Sequence, residues 1–168
     1  MDVINTTLCY IEKDGCFLLQ YRNKKPNDIN EGKWIGVGGK FEPGETAEQC
    51  LLREVYEETR IRLRNYTFLG IIEFRPDDWP AEDMYLYRAK VSDADCPEGL
   101  MDPDFCREGR LEWVEAEKIP SLRMWEGDPY FLRPILNEED DIHIKLVYQG
   151  EKLVEAYDNG NMILCVLE

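Results

Sequence analysis

Two runs rich in apolar residues, 4–12 and 16–22, open the chain around Glu12-Lys13-Asp14-Gly15. An Asp-Gly pair between two such runs predicts a β-hairpin. Residues 23–33 are polar and include Pro26 and Gly32, so they read as a loop. The stretch 34–40, WIGVGGK, predicts a short strand running into a glycine-rich turn. Residues 46–59 lack Gly and Pro and are rich in helix formers. Thr46 suits the N-cap of that helix, with Gln49 three residues on completing a capping box. Strands are expected at 66–75 and 84–91, joined by the turn-like segment 76–80. Residues 92–110 read as a loop, 111–114 as a short strand, 115–126 as a mixed segment and 130–137 as a helix. A second hairpin, 142–148 and 152–157, turns at Gln149-Gly150, and a last short strand covers 162–167. No repeat, low-complexity tract or linker interrupts the pattern. The expectation is one α+β domain over residues 1–168, ending in C-terminal strands over 138–168.

Composition narrows what such a domain does. Its 168 residues are 43% hydrophobic and 11% aromatic, enough for one packed core. Asp and Glu outnumber Lys and Arg by 35 to 20, giving a formal charge of −15. That balance argues against duplex nucleic acid and against anionic membranes as partners, since both need a cationic footprint. A small polyanion remains possible where metal cations bridge the charge. The six cysteines form no C-x-x-C pair, and there is one histidine, which fits neither a zinc site nor a disulfide framework. The cysteines read most simply as small core residues. His143, between Ile142 and Ile144, is expected to point outward from its strand. With no signal peptide or membrane span in view, the expected setting is the cytoplasm, with reduced thiols. The pattern sets no oligomeric state.

The stretch that carries chemistry is the 46–59 helix. At about 100° per residue, Glu54, Glu57 and Glu58 share one face with Ala47, Cys50 and Leu51. The stripe therefore begins apolar and turns acidic toward the negative end of the helix dipole. A carboxylate pair about 5–6 Å apart repels by about 3 kcal/mol at an effective dielectric near 20. A divalent cation with hard oxygen preferences reverses that sign. The alternative is a solvated acidic face, where repulsion is only a few tenths of a kcal/mol. The neighbourhood favours the cation. Gly38-Gly39 precede the helix and allow close backbone approach, and Arg53 sits among acids that it can hold in register, with Glu45 eight residues before it.

Gly39, five residues, Glu45, seven residues, then Arg53-Glu54-Val55-x-Glu57-Glu58-x-x-Ile61 resembles the Nudix box over residues 39–61. One position departs: Arg60 stands where the family has the glycine that ends the helix in a left-handed turn, at a cost of about 1 kcal/mol. The resemblance implies a mixed sheet sandwiched between helices, with the box as loop–helix–loop. It implies Mg²⁺-dependent hydrolysis of a nucleoside diphosphate linked to another group, Mn²⁺ being a substitute metal. By the same carry-over Glu54, Glu57 and Glu58 ligate metal, Glu54 deprotonates the attacking water, Glu45 and Arg53 brace one another, and the Gly38 carbonyl is a further ligand. Lys40 either touches a phosphate or is a solvated lysine.

Beyond the box, the N-terminal hairpin, 34–40 and the segment from Ile119-Pro120 to Asp128 resemble the MutT-type branch that clears oxidised purine nucleotides. That resemblance makes Trp125 and Asp128 a base-binding pair, an indole for stacking and a carboxyl for a purine edge. Trp125 could equally be packing, and Asp128 an N-cap ahead of Pro129. Glu108 occupies the place of a further metal ligand, or is a surface acid. Ile35 lines the expected substrate site where vertebrate oxidised-purine enzymes carry a base-reading asparagine, so that amide is missing here. Arg22, Lys24 and Lys25 either guide a triphosphate or form a solvated loop. The expected substrate is a purine nucleoside triphosphate such as 8-oxo-dGTP, split to monophosphate and pyrophosphate. The rivals are another nucleoside diphosphate-linked metabolite, a non-catalytic nucleotide sensor, and a glycosidase. Sensors often lose box carboxylates, all of which are present here. A glycosidase needs two acids facing across a cleft.

Overall fold

The computed structural model describes residues 2–166. The expected first hairpin is β1 (Ile4–Lys13) and β2 (Cys16–Tyr21), turning at Asp14 and Gly15, both with positive φ. The regular strand β3 is only Trp34–Ile35. The glycine-rich stretch that follows meets β1 through single bridges, Val37 with Cys9 and Lys40 with Thr6. Then come α1 (Ala47–Thr59), β4 (Asn65–Arg75), β5 (Glu82–Lys90) and β6 (Arg110–Glu115), with a 3-10 turn at Asp93–Asp95 inside the expected loop. The mixed segment holds a 3-10 helix, Ala116–Ser121, followed by α2 (Asp128–Leu136). The chain finishes with β7 (Ile142–Gln149), β8 (Lys152–Asp158) and β9 (Asn161–Cys165). Residue 167 of the expected last strand lies outside the described residues.

Among the described residues, nine strands make one mixed sheet in the order β3-β2-β1-β5-β4-β7-β8-β9, with β6 also on β2. Two pairings are parallel, β1 with β5 and β4 with β7. Strand alternation then sorts side chains to two faces. Cys9, Ile11 and Leu18 pack against Leu51 and Val55 of α1. Tyr10, Phe17 and Leu19 pack with Phe131 and Ile135 of α2 on the other side. The sheet is thus sandwiched between helices, as expected of an α+β domain.

The six cysteines are all free. Cys9, Cys50 and Cys106 are core residues, whereas Cys16 and Cys96 are half-buried and Cys165 is exposed, so the core reading holds for three. His143 points outward and bonds Glu73 at 2.7 Å. Among the described residues, no helix is long and apolar enough to cross a membrane.

Candidate active site

Helix α1 starts where its sequence says it should. Thr46 accepts the Gln49 N–H at 3.2 Å, and the Gln49 side chain accepts the Thr46 N–H at 3.0 Å, a closed capping box. It stops at Arg60, whose φ of 60° is left-handed and whose N–H bonds the Tyr56 carbonyl at 2.8 Å. Between those ends the apolar residues Cys50, Leu51 and Val55 anchor the helix on the sheet.

Arg53 is the organiser of the acidic stripe. Its Nε and Nη2 each donate to Glu45 at 2.8 Å, a bidentate pair. Its Nη1 reaches Glu54 at 2.8 Å and Glu57 at 3.3 Å, and Nη2 also donates to the Lys40 carbonyl at 2.9 Å. The Arg53 guanidinium holds the Glu45 carboxyl down at about 2. One side chain therefore ties the loop before the helix to the helix face.

The carboxylates divide by burial. Glu58 is 8% exposed, and its Oε2 is buried without a hydrogen-bond partner. Burial pushes its carboxyl up to about 8, with the charges of Glu54 and Glu108 adding to the rise. Burial likewise raises Glu54 in spite of Arg53. Glu57 is about half exposed and stands on the helix flank. Glu108 comes in from the loop before β6 and is held by Arg22 at 3.0 Å and Lys25 at 2.5 Å. Arg22 also grips Asp28 at 2.7 Å, and Lys24 is taken by the carbonyls of Pro103 and Cys106, so this basic cluster is ion-paired and bonded.

Glu54, Glu58 and Glu108 line one cavity of about 540 Å³. Arg22, Lys25 and Lys40 line it too, as do Gly38 and Gly39. Close approach explains the glycines. A Cβ on Gly39 would lie 2.4 Å from the Glu54 carboxyl carbon, and one on Gly38 would lie 1.9 Å from the Thr7 carbonyl oxygen. Among the described residues no three ligand-type side chains surround a single point as they stand, and Glu54 and Glu108 are each paired with cations. The donor set nevertheless fits a hard divalent cation: clustered carboxylates, one of them with an orphaned buried oxygen.

The same cavity continues to the other face of the sheet. Thr7 bonds Cys50 of α1 at 3.5 Å, so its neighbours Thr6 and Leu8 point away from α1. Thr6, Leu8, Ile35 and Trp79 line this part with Glu82. Sequence patterning did not single out Glu82. Its only signal is the parallel register that sets it beside Ile4, 78 positions earlier, which strand patterning does not reveal.

Trp125 and Asp128 lie elsewhere. Trp125 is 6% exposed, with its indole N–H on Asn30 at 2.9 Å, its edges against Phe74 and Tyr148, and Lys33 4.5 Å over its ring. It borders a second cavity of about 550 Å³ that shares Arg22, Asp28, Ile29 and Trp79 with the first. Asp128 is buried, lines neither cavity, and is raised to about 8 by that burial. It is the first residue of α2, not its cap: Gly127 holds the N-cap position without a side-chain bond.

Comparison with known proteins agrees with this architecture. The NUDIX domain family model matches residues 3–134. The chain is 33% identical over 123 residues to the oxidized purine nucleoside triphosphate hydrolase of Danio rerio, covering 73% of this chain and 72% of that protein. It is 26% identical over 153 residues to the uncharacterized Nudix hydrolase YvcI of Bacillus subtilis, covering 90% of each. Among solved structures, the MutT protein of Bacillus halodurans superposes with a TM-score of 0.77 at 23% identity, over 94% of this chain and 98% of that one.

Proposed function

The chain belongs to the Nudix family as a MutT-type pyrophosphohydrolase, and from that premise we propose a Mg²⁺-dependent cleavage of a purine nucleoside triphosphate to monophosphate and pyrophosphate. The observation that carries this reading is the meeting of Glu54, Glu58 and Glu108 with Arg22, Lys25 and Lys40 in one cavity. Acids alone repel a triphosphate, and bases alone bind it without cutting it.

Glu54, Glu57, Glu58 and Glu108, with the Gly38 carbonyl, would hold Mg²⁺ or Mn²⁺, which supplies charge neutralisation on the diphosphate and a more acidic bound water. Glu54 accepts the proton of the attacking water. Arg53 aims Glu54, and Glu45 acts through Arg53 as a positioning residue. Lys40, Arg22 and Lys25 meet the phosphates. The base lies against the apolar part of the cavity at Ile29, Ile35 and Trp79. Trp125 borders the adjoining cavity, and it would take part in holding the base with Asp128, which is buried and lines neither cavity. Ile35 offers no hydrogen bond, so preference for 8-oxo-dGTP over dGTP is modest. The reading of the chain as one domain is supported by C-terminal strands that continue the same sheet, and its free thiols suit the cytoplasm.

The test is a panel of 8-oxo-dGTP, dGTP, dATP and dCTP with Mg²⁺ or with EDTA, scoring phosphate and pyrophosphate separately. Pyrophosphate release that is abolished by EDTA and faster for purines is expected. Orthophosphate as the product, or equal rates across all four bases, would overturn the proposal.

A further inference from the structure

The cavity has two chemically opposed regions, and the second contains a carboxylate that no part of the phosphate chemistry uses. Glu82 begins β5, with its main chain paired on both sides, to Ile4 of β1 and Phe74 of β4. Arg75 also donates to its carbonyl at 2.9 Å. Its backbone is therefore fixed on the rigid sheet. The side chain lines the cavity, where the Thr6 hydroxyl donates to Oε2 at 3.3 Å. Burial raises this carboxyl, while Thr6 and the charge of Lys40 pull it down.

A carboxylate here repels phosphate, so the part of the substrate that reaches it must carry donors. Ile4, Leu8, Ile29, Ile35, Trp79 and Pro80 surround the same space with flat and apolar surface. That lining suits an aromatic ring better than a sugar. A ring edge with two parallel N–H donors matches two carboxylate oxygens, as an arginine fork does. The guanine edge has such donors, a ring N–H beside an amino group. Adenine presents a donor beside an acceptor, and hypoxanthine lacks the amino group. We propose that Glu82, positioned by Thr6, reads the paired N–H donors of a guanine-type base and so sets the base specificity of the cavity. This rests on the nucleotide reading above and adds the residue and the edge recognised.

Two measurements test it. The first is kcat/KM for dGTP against dITP, with Mg²⁺, for the wild type, Glu82→Gln and Thr6→Val. A hydrogen bond to a charged group changes such ratios by roughly ten- to a hundredfold, so the wild type favours dGTP by that factor. Glu82→Gln brings the ratio near one, and Thr6→Val lowers it partway with the fold intact. The second is calorimetric binding of dGMP and dIMP to the same proteins, which reads the base without cleavage. A protein that releases no pyrophosphate but binds dGMP preferentially through Glu82 keeps this inference and loses the hydrolase reading. Active enzyme with equal dGTP and dITP values, or with a ratio unchanged in Glu82→Gln, overturns the inference and leaves the hydrolase reading standing. A Glu82→Gln variant that alters only the ribose-to-deoxyribose ratio makes Glu82 a sugar contact and also overturns it.

Discussion

The two adjacent glycines before the helix give the sharpest prediction, because the same added methyl meets different neighbours. In Gly39→Ala the new Cβ would lie 2.4–2.6 Å from the carbon and both oxygens of the Glu54 carboxylate. Ordinary contact begins near 3.5 Å, so the carboxylate must move by about 1 Å. It is the far end of a flexible side chain, and Gly39 has no left-handed φ to preserve. The stability cost is accordingly about 1 kcal/mol or less, partly offset by the lower entropy of the unfolded chain. Movement of about 1 Å at a reacting group costs roughly 10²-fold in rate, and here it also strains the 2.8 Å contact with Arg53. In Gly38→Ala the obstacle is the Thr7 carbonyl oxygen at 1.9 Å, a backbone atom of the central strand β1. Nothing there can swing aside, so a loss of about 3 kcal/mol or more is expected. The assay is kcat at saturating Mg²⁺ together with urea unfolding for both variants. Gly39→Ala should lose activity and keep its unfolding midpoint, and Gly38→Ala should lose the midpoint. A Gly39→Ala enzyme with wild-type kcat would falsify the placement of Glu54 at the reacting centre.

Three further outcomes are expected. Burial holds the Asp128 carboxyl at about 8, above the roughly 3.9 of an unfolded chain, so the folded state keeps a proton that the unfolded state has lost between those values. Its contribution to stability is complete below about pH 4 and is lost as pH rises through 8, at up to about 1.4 kcal/mol per unit. Asp128→Asn should flatten the fall in unfolding free energy between pH 5.5 and 8 by up to about 3 kcal/mol; parallel curves would refute this. Arg60→Gly relieves a left-handed non-glycine residue worth about 1 kcal/mol, so Tm should rise by about 2–4 °C for a chain of this size with kcat unchanged, and a lower Tm counts against the strain. Glu57→Gln should cut kcat by at least about 10²-fold and leave the Tm without metal equal or higher, since a repelling charge is removed; near-normal turnover would exclude a metal role for Glu57.

What was legible in the sequence was what local rules govern. The left-handed stop at Arg60 was implied by the resemblance to the Nudix box, while the capping box at Thr46 and Gln49 and the Asp14-Gly15 turn each depend on residues within a few positions of one another. The parallel pairings of β1 with β5 and β4 with β7 do not, since no turn links those strands. Glu82 was invisible for that reason: it becomes a cavity residue only when Ile4 is set beside it. Within 34–40 the expected short strand covers Trp34–Ile35, and in the glycine-rich stretch that follows Gly36 and Gly38 pass so close to the β1 backbone that pairing continues only as single bridges. The alternative to a base-binding Asp128, a cap ahead of Pro129, fails because the chain enters α2 one residue earlier and carries the carboxyl into the core.

The acidic stripe marks the boundary between what periodicity and packing each decide. Helical spacing puts Glu54, Glu57 and Glu58 on one face and cannot rank them. The sheet beneath α1 ranks them: Glu58 turns inward with Glu54, and Glu57 remains on the flank. Nor could spacing say how a chain of charge −15 tolerates that cluster before any metal or substrate arrives. The fold answers with its own cations. Arg53 spans Glu45, Glu54 and Glu57, while Arg22 and Lys25 hold Glu108. Among the described residues, Glu58 Oε2 is the one buried carboxylate oxygen left without a partner. A buried carboxyl in that position cannot ionise cheaply on its own, and it gains most from whatever cation comes next. The orphaned oxygen on Glu58, more than the spacing of three acids, is what favours the proposed binding face over a solvated one.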